Sequence, residues 1–125
     1  MKLISVCLGM LAMATVARAQ TAPAAADSLF IVTYSLGDAW DQSKGPGEQP
    51  YFKEHGARLG QLRKDGVIKF GARYSDKGMI VIAAPTFVKA KEIVTADVAV
   101  QNKLFVADVQ KLNIFYDGCL ERSRN

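Results

Sequence analysis

A single histidine, His55, occurs in the 125 residues, in a stretch with helical spacing. It stands three residues after Phe52 and four before Leu59, so a helix here turns the imidazole onto its inward stripe. Two readings fit that position. One is a half-buried histidine hydrogen-bonded to backbone. The other is an imidazole aimed into a pocket, held by a carboxylate and able to shuttle protons. Spacing alone leaves both open.

Other residues with chemical potential are scattered along the chain. Asp97 follows a second helical stretch, as a helix-terminal cap or a solvated charge. Trp40 is the only tryptophan and falls in a loop over 37–49, as a pocket wall or a lid that pins the loop. Arg73 ends a strand-like run and either binds a substrate anion or pairs with Asp76. Tyr34 belongs to a core strand, with its hydroxyl toward the same end of the fold. Gly45-Pro46-Gly47 is no phosphate loop, because the Lys-Ser/Thr pair and the strand-to-helix context are missing. No nucleophile stands with a dedicated base and no cofactor motif occurs, so no cofactor is expected. Cys119 would be the only cysteine left after removal of a leader, which precludes an internal disulfide, a Cys-x-x-Cys pair and a zinc cluster.

The elements that must position these residues follow from local patterns. Residues 29–34 (LFIVTY) are β-branched and aromatic and predict a strand. Pro50 suits the first turn of a helix that Asp65-Gly66 ends, with Gly66 as the left-handed residue. Residues 67–74 and 79–84 predict a hairpin across the turn 75–78. Thr86 caps a second helix through about Ala96, with Phe87, Ala90, Ile93 and Val94 on one stripe. A last strand is expected over 104–115, irregular near Gln110-Lys111.

The order is βαββαβ, the α+β ferredoxin-like split motif. In that motif both helices pack on one face of the sheet. Chain direction then brings the start of the first helix, the end of the second and the hairpin turn to one end. His55, Asp97, Trp40, Tyr34 and Arg73 converge there. Residues 79–84 are apolar at both parities, so the second sheet face also needs cover. A two-fold homodimer through that face is expected.

The first nineteen residues have a different composition. Lys2 precedes an uncharged apolar run to Val16, and Ala17-Arg18-Ala19 supplies small residues at −3 and −1. This order predicts a cleavable signal peptide over 1–19 and a periplasmic or secreted protein. The run is too short for a comfortable membrane span of roughly 20 residues, so no membrane association is expected after cleavage. Residues 20–27 (QTAPAAAD) read as a disordered tether, 28–120 as one domain and 121–125 as a tail. Losing Lys2 and Arg18 leaves 14 basic groups against 12 acidic, a net charge of +2. Their interspersed placement argues against a nucleic-acid partner.

Four segments together resemble the YCII-related family: residues 34–41 (YSLGDAWD), 49–55 (QPYFKEH), 70–78 (FGARYSDKG) and Ala96-Asp97. The resemblance spans about residues 29–119. It implies a dimeric α+β barrel and an active-site cleft where a helix histidine meets an aspartate, positions that His55 and Asp97 match. The chain departs from the family pattern in Val98-Ala99, where a proline and an aromatic often follow the aspartate. Gln101-Asn102-Lys103 also stands where a glycine is common. Two function classes follow: an enzyme doing acid–base chemistry, such as elimination or isomerisation, on a small organic compound, and a non-catalytic periplasmic module binding a small ligand or partner in the same cleft.

Overall fold

The structure is a computed structural model that describes residues 27–122. The expected signal peptide, its cleavage site and nearly all of the tether lie outside the described residues. Seven elements follow in chain order: β1 (Ser28–Leu36), α1 (Phe52–Lys64), β2 (Ile68–Tyr74), β3 (Lys77–Ala84), α2 (Phe87–Thr95), α3 (Val98–Gln101) and β4 (Phe105–Lys111). One turn of 3-10 helix, Pro46–Glu48, interrupts the long β1–α1 connection. The four strands pair antiparallel in the order β2-β3-β1-β4. The fold is therefore α+β, compatible with the ferredoxin-like motif.

Alternation along the strands sets the layers. Phe30, Val32 and Tyr34 of β1 stand beside Ile82, Ile80 and Gly78 of β3. The side chains of Phe30, Val32, Tyr34, Ile80 and Ile82 form the core with Ala90 and Val94 of α2, while Leu59 and Leu62 of α1 pack on it partly buried. Helix α1 ends as expected at Gly66, whose φ is +75°. The Gly66 N–H donates to the Arg63 carbonyl and the Val67 N–H to that of Leu62, which satisfies the last turn. Helix α2 starts where Thr86 Oγ1 accepts the Lys89 N–H at 3.1 Å.

Several features differ from expectation. Strand β3 begins at Lys77 rather than Met79, the turn being only Ser75-Asp76. The irregularity expected near Gln110-Lys111 is absent from β4, and the register shift lies in β2 between Ile68 and Phe70. Helix α1 begins at Phe52 rather than Pro50, because Tyr51 ahead of it is left-handed with φ +66°. Strand β4 stops at Lys111, well short of 115. Its partner β1 runs out there: Lys111 stands opposite Phe30, and the Leu112 N–H donates the last bond to Leu29. The four-residue α3 was not expected, being too short to show a periodic signal. Among the described residues no helix is long and apolar enough to cross a membrane.

Candidate active site

The loop after β1 is held at both ends. The Gly37 N–H donates to the Leu104 carbonyl at 2.8 Å and the Ala39 N–H to that of Lys103 at 3.0 Å. The approach is so close that a Cβ on Gly37 would lie 2.0 Å from the Lys103 oxygen. Further along, the buried Gln49 amide clamps the loop. Its Oε1 accepts the Asp41 N–H, and its Nε2 donates to the carbonyls of Asp41 and Lys44. This double anchoring sets Trp40 against Phe105 and Phe52, at centroid distances of 5.8 and 6.3 Å.

Below that wall lies His55, on the second turn of α1 and 8% exposed. Its Nδ1 is 2.6 Å from Oδ2 of Asp97, which is 1% exposed. The other carboxylate oxygen, Oδ1, accepts the Ala99 N–H at 2.9 Å and caps α3. Asp97 thus faces both ways: one oxygen fixes the backbone that carries it, and the other fixes the imidazole. The His55 ring also packs edge-on to Tyr34 and tilted against Phe105.

Electrostatics keep Asp97 ionised. Burial by itself would raise the Asp97 carboxyl. The hydrogen bonds from His55 and the Ala99 N–H, with the charges of His55 and Arg58, outweigh it and hold the group below the usual carboxylate range. An ionised carboxylate only accepts, so Nδ1 is the donor. Nε2, on the far side of the ring, makes no hydrogen bond among the described residues. Burial, reinforced by the Asp97 charge and opposed by Arg58, pushes the Tyr34 hydroxyl far above its ordinary value, so it stays a neutral donor. Arg58 crosses from α1 to donate from Nη2 to the Ile93 carbonyl at 2.9 Å, and so ties α1 to the end of α2.

These groups open onto a cleft of about 760 Å³, a size ordinary for small-ligand sites. Tyr34, Trp40, His55 and Arg73 line it; Asp97 sits behind the histidine. Across the sheet, Tyr34, Gly78 and Arg73 stand side by side. The missing side chain at Gly78 leaves a gap in the row, which is the floor of the cleft. Arg73 forms no ion pair among the described residues, with Asp76 or any other carboxylate. Cys119 is exposed and is not among the residues that line the cleft.

Sequence reasoning did not single out Phe105, Gln49 or Arg58. Arg58 had a usable signal, since it lies three positions after His55 on the same helix side. Gln49 and Phe105 had none, because their roles depend on the path of a loop and on the strand opposite. Among the described residues no group of three or more His, Cys, Asp or Glu could hold a metal ion. No family model matches the chain, and no curated protein matches it.

Proposed function

We propose that this chain is an exported YCII-related protein whose His55–Asp97 pair performs acid–base chemistry, elimination or isomerisation, on a small organic compound. The observation that carries the reading is the 2.6 Å contact of Nδ1 with Oδ2, which leaves Nε2 without a partner among the described residues, in a ring that lines the cleft. Nε2 takes a proton as a C–H bond of the substrate breaks. The electron pair forms a double bond and either expels a leaving group or shifts along the substrate. The imidazolium then returns the proton to that group or to another carbon. Asp97 stabilises the imidazolium and holds its orientation.

A second reading also has an observation behind it. The Asp97 carboxylate caps α3 as well as binding His55, so the pair serves as a tie between α1 and the α2–α3 junction even without turnover. The cleft is then the site of a binding module. Incubating the mature protein with a metabolite panel, with turnover read by mass spectrometry, separates the two. The enzyme reading expects a consumed compound, and a loss of roughly 10²–10⁴-fold in rate for His55→Gln. Binding without consumption across the panel favours the module.

Assembly and export belong to the same proposal. The sheet face away from the helices carries the half-buried Ile31 and Met79 in its centre and the exposed Tyr74 and Val106 toward its edges, with Val106 58% exposed. Beyond β4, Ile114, Phe115, Tyr116 and Leu120 are also exposed. Apolar area of this kind supports a homodimer, arranged as a dimeric α+β barrel, through the uncovered face. The leader supports export, and N-terminal sequencing of the secreted form should begin at Gln20.

A further inference from the structure

Three aromatic rings pack against one another along one wall of the cleft. Trp40, Phe52 and Phe105 form a triangle with centroid separations of 5.8 to 6.3 Å, and all three are only partly buried. Rings in that state keep apolar surface in water, and a flat apolar body placed against them removes that area. The opposite rim is charged. Arg73 projects on the helix side of β2, opposite Gly78, and makes no ion pair among the described residues. Arg122 and Asp76 also line the cleft, while Arg73 is the cation that the sheet register places beside Gly78 and Tyr34.

We propose that the cleft takes a small aromatic carboxylate, with its ring against the wall of Trp40, Phe52 and Phe105 and its charge at Arg73. This rests on reading the cleft as a small-molecule site, but not on catalysis by His55. The dimensions agree. Arg73 and Tyr34 lie two strand spacings apart, about 10 Å, the length of one ring with a charged substituent. A guanidinium fork matches the two oxygens of a carboxylate. The Tyr34 hydroxyl accepts from or donates to no group among the described residues, and its raised pKa keeps it a donor for an oxygen on the ring.

The protein carries its own reporter, since Trp40 is the only tryptophan and stands in the wall. The test titrates the mature protein with benzoate and with benzamide, neutral and of the same shape, and follows Trp40 fluorescence. Benzoate should bind at least tenfold more tightly than benzamide, with the preference shrinking as salt rises. Arg73→Gln should remove that preference and leave benzamide unchanged, and Asp76→Asn should strengthen benzoate binding. Both positions are exposed, so both variants should fold, which circular dichroism checks. Equal affinity for the two probes, a preference that survives Arg73→Gln, or no binding of either overturns the proposal. Neither probe carries an acidic C–H or a leaving group for elimination or isomerisation, so the proton-shuttle reading stands or falls separately on the turnover of His55→Gln.

Discussion

Nδ1 of His55 and Oδ2 of Asp97 lie 2.6 Å apart although 42 positions separate them in the chain. The first comes from α1 and the second from the junction of α2 and α3. Their contact closes the helical layer over one end of the sheet and sets the imidazole in a single orientation. Because Oδ1 is occupied by the Ala99 N–H, the carboxylate cannot rotate without uncapping α3. The orientation of His55 is therefore built into the backbone at Asp97.

Asp97→Ala should destabilise the fold by roughly 2–4 kcal/mol, the sum of a lost N-cap and a lost buried charge-assisted bond. The effect depends on pH. Because the Asp97 carboxyl lies below its ordinary value in the folded chain, its contribution is complete above about pH 4. It is lost as the pH falls through the lowered native value. Urea midpoints of the two proteins, measured from pH 7 to pH 2, should converge at the acid end. A gap that stays constant over that range would show that the carboxylate charge contributes nothing.

Asp97→Asn tests orientation apart from charge. An amide donor facing Nδ1 moves the ring proton to Nε2, where the base is needed. Turnover should fall roughly 10²–10⁴-fold, with a smaller change in affinity for a non-reacting probe.

Gly37→Ala should cost roughly 2–4 kcal/mol, since a Cβ there would stand 2.0 Å from the Lys103 carbonyl oxygen. Backbone on both sides prevents relief by a rotamer change. The loop's two bonds to Lys103 and Leu104 would open first, so Trp40 emission should shift red before the thermal transition. A variant as stable as the parent would show that this crossing adjusts freely.

Gln49→Ala removes three hydrogen bonds inside the β1–α1 loop and leaves the core untouched. A loss of roughly 1–3 kcal/mol is expected, with faster amide exchange over residues 38–49. Trp40 should become more accessible to a collisional quencher. Unchanged quenching would mean that Phe52 and Phe105 hold the indole without the clamp.

For assembly, sedimentation of the mature protein should give about twice the chain mass. Val106→Arg places a charge on the uncovered sheet face and should shift the population to monomer. A parent protein that stays monomeric at micromolar concentration would mean that another segment covers the face.

How far the sequence reached can be seen element by element. Residues 29–34 and 79–84 announced strands through β-branched content. Thr86 and Gly66 marked helix ends, and the βαββαβ order followed. Each of these signals is local: a cap, a left-handed residue or an alternation is carried by residues within a turn or two of one another. Chain direction then placed His55, Asp97, Trp40, Tyr34 and Arg73 at one end, because antiparallel succession leaves little choice. What the sequence could not give was contact. The length of β4 was decided by where β1 begins, the need for glycine at position 37 by the Lys103 carbonyl, and the hold on Trp40 by the Gln49 amide. The division of Asp97 between a helix cap and an imidazole was decided by packing that brings α1 onto the α2–α3 junction. Such pairings depend on distances that arise only when the layers close, so residue type and spacing could name the groups while the tertiary structure chose their partners.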